Sequence, residues 1–397
     1  MRRLSTVLIT AFVFVGLVVC TLLTQPENGE AIPAFARKYS MSCTTCHAPI
    51  PRLKAYGDEF AGNGFVLKDK DAPRYTVNTG DDHLDLIRDF PIAARLEGYV
   101  KYETVTDRDV DFTSPYVLKF LSGGSLTKNV AYYFYFFFSE RGEVAGIEDA
   151  YIMFNNLLDT ELDLYVGQFQ ASDPLFKREL RLTYEDYQLY KQKVGFSDVA
   201  LSYERGIMLT YGAESGTDIM VEVVNGNGIG EADDFKVYDN DKYKNFMGRI
   251  TQDIGENFRI GGFGYYGKEA DSAGFRNELW MAGFDCTASW LDKLELNFQW
   301  LERRDDNPWF EAFLPPEDIE SNGAMAELIV MPDGERSRWY GVALYNRYDS
   351  DLDDVDYETI TGHIGYVMRT NIRLMLEHTY DIENEENRTL LGFVAAF

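Results

Sequence analysis

From residue 91 to the C-terminus, apolar and polar residues alternate with a period of two. In KLELNFQW, residues 293–300, every second residue is apolar, and ELDLYVG, residues 161–167, follows the same pattern. Successive side chains of a strand point to opposite faces, so the pattern predicts strands with one apolar and one polar face. A sandwich with one solvated face would also show it. The number of such segments, each about ten residues long, favours a transmembrane antiparallel β-barrel.

The composition agrees with strands of this kind. The 397 residues include 26 Tyr, 27 Phe and 5 Trp, and 45% are apolar although the mean hydropathy is only −0.28. After residue 25 no run of about 18 apolar residues occurs, which rules out a multi-span helical membrane protein. The net charge of −27 argues against nucleic acid as a partner. Four Cys exclude a disulfide scaffold.

The alternating segments predict an all-β barrel of about 16 strands. The candidate strands lie at 92–105, 115–124, 129–139, 145–155, 160–170, 206–214, 217–225, 244–253, 257–268, 275–288, 292–303, 323–331, 336–348, 356–368, 371–382 and 388–397. Short connections alternate with long ones, of which 171–205, 226–243 and 304–322 are the longest. Outer-membrane barrels have short periplasmic turns and long outer loops, so this alternation places the N-terminal segment and the C-terminus on the periplasmic side.

The N-terminus has the order of regions found in a secretory signal. Two Arg follow Met1, an apolar stretch covers 7–23, and a polar segment ends in small residues at Ala31. We expect a signal peptide over 1–31 with cleavage after Ala31, so that the mature chain begins at Ile32. An uncleaved anchor helix and a lipoprotein signal through Cys20 are the alternatives. Each of these interpretations predicts export.

Cys43, Cys46 and His47 form a C-x-x-C-H motif, which is typical of covalent haem attachment. Two thiols at this spacing bond one haem, and the adjacent imidazole then lies under the iron as the proximal ligand. A disulfide or redox C-x-x-C would leave His47 without a role. Zinc would need about four ligands, which the neighbouring sequence does not supply. We predict one covalent haem c, with His47 as an iron ligand.

The distal iron ligand is open at this stage. No Met occurs between Met41 and Met153, and Met41 is held on the attachment side. His83 lies 36 residues beyond His47 in an acidic segment and is our distal candidate. The alternatives are that His83 is an exposed loop residue, that the position is open or water-filled, or that the ligand is Lys54, Lys68 or His363.

Residues 32–90 are predicted to form a small, partly helical haem module, and residues 91–397 the barrel. Leu53, Tyr56 and Phe60 fall at helical spacing, so a short helix is expected there. About 60 residues can bury little surface without a cofactor.

The longest connection, 171–205, carries several cations in an otherwise acidic protein. In porins a long loop folded into the lumen narrows the channel, and cations there favour anions. A solvated surface loop is the alternative. The cations are Lys177, Arg178, Arg181, Lys191 and Lys193.

The run PAFARKYSMSCTTCH, residues 33–47, precedes a spaced set of apolar residues and glycines. With that set, it resembles the N-terminal module of a bacterial family in which one C-x-x-C-H motif precedes a porin-like barrel. The chain also ends in Phe397, similar to the terminal strand of bacterial outer-membrane proteins. The resemblance implies Cys43 and Cys46 as thioether sites and His47 as axial ligand. The set comprises Pro51, Leu53, Gly57, Phe60, Gly64 and Phe65.

Two functions follow as expectations. In the first, a periplasm-facing haem, tethered at the outer membrane, exchanges electrons with periplasmic or multihaem cytochromes. In the alternative, the protein is a diffusion channel for small solutes in which the haem is structural or a sensor. A single haem cannot cover a hydrocarbon core of about 30 Å. No acid-base set accompanies the motif, so we expect no enzyme.

Overall fold

A computed structural model of the chain describes residues 34–67, 76–77, 79–84, 86–88, 90–104, 110–311 and 318–397. The predicted signal segment with its cleavage site, together with Cys20 and Lys68, lies outside the described residues. Among the helices of the described residues, none is long and apolar enough to cross a membrane.

Sixteen antiparallel strands form a closed barrel, in which each strand pairs with its neighbours in the sequence and the last pairs with the first. A separate two-stranded pair, β1 (Thr76–Val77) and β2 (Leu86–Ile87), precedes the barrel. The barrel strands are β3 (Ile92–Glu103), β4 (Asp111–Thr127), β5 (Val130–Glu140), β6 (Gly146–Leu157), β7 (Leu162–Gln170), β8 (Tyr203–Gly212), β9 (Thr217–Val224), β10 (Asn245–Ile254), β11 (Phe258–Ala270), β12 (Arg276–Trp290), β13 (Leu294–Asp305), β14 (Ile319–Val330), β15 (Trp339–Ser350), β16 (Tyr357–Arg369), β17 (Ile372–Asp381) and β18 (Glu386–Ala396).

The predicted fold class is confirmed. Each of the sixteen predicted strands corresponds to one observed strand. The larger differences are at β4 and β14, which each begin four residues earlier than predicted, at Asp111 and Ile319. The predicted alternation of connections is also observed. We call the end with the short connections, such as 128–129 and 370–371, the short-turn end, and the opposite end the long-loop end.

The two faces of each strand have opposite surroundings, as β13 illustrates. Over residues 294–300 its apolar residues point outward, and Leu294 and Leu296 are 42% and 43% exposed. Its polar residues point inward and are buried, with Arg303 and Asp305 paired inside the barrel. A sandwich would bury the apolar face instead. The exposed apolar face is the arrangement that a lipid environment requires.

Aromatic side chains surround the short-turn end. Trp290 is 72% exposed at the end of β12, and Trp339 is exposed at the start of β15. The Trp339 ring lies 4.6 Å from that of Tyr366, between centroids. Such girdles mark the interfaces of membrane barrels.

The aromatic run 132–138, which breaks the alternation, lies in the barrel wall on β5 and supplies aromatic residues to both faces. Tyr135 and Phe137 are buried on the inner face, whereas Phe138 is exposed on the outer face. Lys119 of β4 lies over the inner rings, 4.4 Å from the Tyr135 centroid.

Two short helices precede the barrel, α1 (Ala34–Tyr39) and α2 (Ala55–Gly62), with a 3₁₀ turn at Cys43–Thr45 between them. The helix expected from Leu53, Tyr56 and Phe60 is therefore present. Phe60 is buried, but Tyr56 is exposed and does not share its packed face. The rings of Phe35, Phe60 and Phe65 form an aromatic cluster with centroids 5.0 to 6.0 Å apart.

Candidate functional site

The helical segment 34–67 lies against the short-turn end of the barrel, and its contacts reach nearly opposite sides of the ring. On one side, the Asn155 side-chain amide on β6 donates to Gly62 O at 2.7 Å, and the Phe65 ring stacks on Tyr133 at 5.5 Å. On the other, Arg52 forms an ion pair with Glu295 on β13. Because β6 and β13 are separated by seven positions in a ring of sixteen, this segment spans the mouth.

Gly64 shows how closely the segment approaches the wall. Its φ is +68°, and a Cβ there would lie 2.7 Å from Asn155 Oδ1 and 2.9 Å from Ala131 Cβ. Only glycine adopts this conformation without strain and also leaves room for the wall. The contact therefore fixes the segment at the mouth.

Inside the segment, the His47 ring is held by backbone carbonyls. Its Nδ1–H donates to Pro51 O at 2.9 Å, and Arg52 O lies 3.3 Å from the same nitrogen. A carbonyl only accepts, so Nδ1 carries the proton and the lone pair is on Nε2. Burial lowers the pKa of His47, which keeps the imidazole neutral. A neutral ring with a free Nε2, oriented through Nδ1, is the form that ligates a metal.

Cys43 and Cys46 are free thiols at the two ends of one 3₁₀ turn. Burial raises the pKa of both, against a smaller opposing effect of Lys54 on Cys46. Redox C-x-x-C motifs rely on a lowered thiol pKa. This electrostatic setting therefore argues against a redox C-x-x-C motif.

Helix α2 packs directly against the backbone of the C-x-x-C-H motif. A Cβ at Gly57 would lie 2.5 Å from Cys46 O and 2.9 Å from Leu53 Cδ2, so only glycine allows this approach. The backbone N–H of Lys54 donates to Cys46 O at 2.8 Å. Cys43, Cys46 and His47 are thus brought together on a supported turn, and these residues fit a c-type haem. In the described part of the chain, no group of three His, Cys, Asp or Glu residues could hold a metal ion.

Of the distal candidates, His83 lies away from the motif, whereas Lys54 lies beside it but is engaged elsewhere. His83 is exposed in the turn between β1 and β2, where its backbone N–H donates to Asp81 Oδ1 at 2.9 Å. Lys54 is engaged with Thr44 O at 3.0 Å and Glu335 at 2.6 Å. Within the described residues, no hydrogen bond or ion pair joins either side chain to His47. The identity of the distal ligand stays a prediction.

His363 faces the barrel interior, as its parity with Thr359 and Thr361 predicts. It is buried, with Nδ1 2.9 Å from Glu377 Oε2 and Nε2 3.4 Å from the Tyr340 hydroxyl. Both of its ring nitrogens are therefore occupied by partners within the wall.

The connection between β7 and β8, residues 171–202, lies inside the barrel, and we call it the luminal loop. Its backbone N–H groups at Tyr184 and Glu185 donate to the Glu377 carboxylate at 2.7 and 2.9 Å. Opposite, Arg303 donates to Val199 O at 2.8 Å. The luminal interpretation is confirmed, and the alternative of a solvated surface loop is wrong. The sequence did not identify the wall residues that hold the loop.

The predicted cations of the loop are mostly gathered around one carboxylate. Arg178 binds Asp186 through two nitrogens at 3.1 and 2.6 Å. Arg181, Lys191 and Arg141 add longer ion pairs to Asp186, of 3.7, 3.6 and 3.9 Å. We call these four basic residues the cation cluster.

Burial alone would raise the pKa of Asp186, but Arg181 and Arg178 hold it well below its usual range. Arg141 also pairs with Glu140, at 3.8 Å. Two carboxylates among the four cations leave positive charge in excess. The two other predicted cations pair elsewhere, Lys177 with Asp58 of α2 at 2.9 Å and Lys193 with Asp198 at 3.1 Å.

A polar cavity of about 600 Å³ opens at the long-loop end between the luminal loop and the connection 225–244. Tyr203, Asn227 and Tyr238 are among its lining residues. Arg205 lies over the Tyr238 ring, 4.2 Å from the centroid, and donates to Ile229 O at 3.0 Å. The cavity forms a vestibule above the luminal loop.

A closed barrel of 16 strands with a loop folded into its lumen is the fold of outer-membrane porins. The chain is similar to the anion-selective porin from Comamonas acidovorans, with a TM-score of 0.58 and 13% identity over 78% of this chain and 99% of that one. It is also similar to the outer membrane channel DcaP of Acinetobacter baumannii, with a TM-score of 0.57 and 12% identity over 78% and 97%.

A porin refined at 1.8 Å resolution gives a TM-score of 0.55 and 12% identity, over 78% of this chain and 100% of that one. The sequence matches no protein-family model and no curated protein. At these identities the likeness concerns the fold alone.

Proposed function

We propose that the protein is a channel of the bacterial outer membrane through which small solutes pass, with its short-turn end in the periplasm. The observation that carries the proposal is the combination of a closed barrel, an exposed apolar outer face and a luminal loop. Outer-membrane lipid is then the partner of the outer face. This architecture supports a channel rather than an enzyme.

Anions are the solutes that the lumen favours. The cation cluster leaves net positive charge around Asp186, and Arg141 and Lys191 keep part of their side chains accessible. Charged side chains along a pore set the sign of the ions that pass. Negatively charged solutes therefore enter the part of the lumen that the luminal loop narrows at lower electrostatic cost than cations do.

Segment 34–67 restricts the flow at the periplasmic mouth. It is held there by ion pairs, by the Asn155 hydrogen bond and by the ring contact between Phe65 and Tyr133. We infer that the channel conducts weakly while the segment is docked and more strongly when it is displaced.

Planar-bilayer recording of the purified full chain tests this function. Under a salt gradient, the reversal potential should indicate anion preference, and Lys191→Glu should reduce it. Arg347→Glu is the matched control, because Arg347 is exposed on the outward face of β15, where it pairs with Asp349. Absence of conductance in the wild type and in variants that displace the segment, or a cation preference in the wild type, would contradict the proposal.

Electron transfer is the second candidate, and the orientation of His47 favours it. The Nδ1 bond to Pro51 O leaves Nε2 as the only nitrogen that could ligate the iron of a haem held by Cys43 and Cys46. When bound, such a haem would supply one-electron chemistry at the periplasmic mouth. Periplasmic or multihaem cytochromes would be its redox partners.

Spectroscopy of the purified protein tests the second candidate. Covalent haem should be reduced by a soluble c-type cytochrome at a rate that depends on ionic strength. If haem is attached but exchanges no electrons with such partners, the haem is structural or a sensor, and the channel function stands alone.

A further inference from the structure

One row of inward-facing side chains crosses the wall from β7 to β12. Register places each member directly beside the next on adjacent strands from β7 to β12. The row reads Tyr165, Met208, Glu222, Met247, Tyr265 and Met281. A carboxylate therefore stands between two thioethers, at the middle of a row with no other charged member.

Glu222 is the unusual member of this row. It is 0% exposed, and neither of its carboxylate oxygens has a hydrogen-bond partner. Within the described residues it takes part in no ion pair, although most other buried acids of the lumen do or accept hydrogen bonds. A buried carboxylate without a partner is costly, so it must either take up a proton or receive a cation.

The two residues beside Glu222 in register supply no hydrogen-bond donor. Met208 and Met247 flank it in register and carry only thioether sulfur. The Tyr265 hydroxyl, beyond Met247, accepts from Asn245 Nδ2 at 3.0 Å and makes no hydrogen bond to Glu222. The nearest charged groups that act on Glu222 are the carboxylates of Asp173 and Glu204, which add to its negative field. This part of the lumen thus attracts a cation.

We propose that Met208, Met247 and Glu222 form a binding site for a soft monovalent metal ion, Cu(I). Side chains directly opposite on neighbouring strands have Cβ atoms about 5 Å apart, so two flexible thioethers and one carboxylate can converge on one ion. Thioether sulfur selects Cu(I) over hard divalent cations. Met220, buried two residues before Glu222 on the same face of β9, is a further donor within this cluster.

This site is distinct from the C-x-x-C-H motif and from the cation cluster. Its donors lie on β8, β9 and β10, whereas Cys43, Cys46 and His47 lie in the helical segment. Neither conduction nor haem attachment requires this site. Its experimental test can therefore fail or succeed independently of the tests of those two functions.

Cu(I) titration of the full-length protein in detergent tests the proposal. The thiols of Cys43, Cys46 and Cys286 are first alkylated with N-ethylmaleimide, which leaves thioethers unmodified. Under anaerobic conditions and in competition with a chromogenic Cu(I) chelator, the wild type should bind one equivalent. A wild type that binds none after alkylation would overturn the proposal.

Three variants locate the site. Met208→Leu combined with Met247→Leu keeps the volume and removes both sulfurs, and Glu222→Gln removes only the charge. The double Met variant and Glu222→Gln should each lower the Cu(I) affinity at least about tenfold. A loss of this size is typical even of changes to outer-shell residues at metal sites. Met325→Leu is the control, because Met325 is equally buried on β14 outside the row. Equal binding by all four proteins would mean an adventitious ion only and would refute the site.

A measurement on the wild type alone covers the case in which a variant fails to fold. The copper K-edge absorption spectrum of protein loaded with one equivalent should show sulfur neighbours. A spectrum with only nitrogen and oxygen neighbours would refute thioether ligation.

Discussion

Replacing Phe65 by Ala should release the helical segment from the mouth of the barrel. Phe65 is buried, with its ring 5.0 Å from Phe35, 6.0 Å from Phe60 and 5.5 Å from Tyr133. It therefore belongs both to the internal cluster of the segment and to its contact with the wall. A short segment has few other buried side chains that could compensate for this loss.

The magnitude follows from the lost ring. Truncation of a buried Phe to Ala costs about 3 to 5 kcal/mol. Each 1.4 kcal/mol is a factor of about ten in an equilibrium constant, so the displaced fraction should rise at least about a hundredfold. Ala keeps the Cβ and the backbone at residue 65, whose φ is +60°, so the change acts through the side chain.

Two measurements report the displaced state. Single-channel recording should show longer and more frequent open periods, because the mouth is unblocked more often. Trypsin should cleave faster after Arg52, whose side chain is paired with Glu295 in the docked state.

The control is Phe196→Ala, which truncates an exposed ring in the luminal loop at the other end of the barrel. Open times and cleavage rates that match the wild type in Phe65→Ala would refute the reasoning that this segment restricts the channel.

Four further outcomes are expected. Haem staining of a denaturing gel should follow the protein band and disappear in Cys43→Ala with Cys46→Ala, and stain that survives would refute covalent haem. If His83 is the distal ligand, His83→Ala should convert the low-spin haem spectrum to a high-spin one, and an unchanged spectrum excludes His83. The reduction potential of the native haem should then be low, because no Met ligates the iron. Burial raises the pKa of Asp173 to about 6 against the opposing charge of Lys177, so the carboxylate is neutral below that pH and charged above it. Reversal potentials should therefore show stronger anion preference at pH 5 than at pH 7.5, and a difference that persists in Asp173→Asn would contradict this assignment. Deletion of Phe397 should reduce assembly, measured as the heat-modifiable band on a gel, more than it changes the strand content.

The strands were predictable because each carries its own signal. Alternation on β13 follows from the physics of a wall with lipid on one face and polar groups on the other, and no distant residue is needed to recognise it. The boundaries of β4 and β14 were less clear, since the first four residues of each, 111–114 and 319–322, include only one apolar residue and show no alternation. The C-x-x-C-H motif is also local, so its residues were found together.

The partners of the luminal loop could not be predicted, because they are distant in sequence and polar pairs carry no periodic signal. Tyr187 donates to Glu327 across 140 residues, and Arg373 donates to Leu182 O across 191. The cations of the loop were identified correctly, but Asp186 as their common partner was not. The row around Glu222 depends on register over six strands, which the sequence does not state.

The proposed channel and the haem motif are physically coupled through two contacts. Lys177 of the luminal loop pairs with Asp58 of α2, and the latter helix braces Cys46 through Gly57. We therefore expect a displacement of the luminal loop to reach the turn that holds both thiols, and a displacement of α2 to remove a neutralising partner from the loop. A solute that enters the constriction and draws Lys177 away from Asp58 would loosen the support of the haem site. Conversely, a haem attached at Cys43 and Cys46 would rigidify α2 and favour the docked, weakly conducting state. Both proposed functions would thus depend on how firmly this one segment is docked.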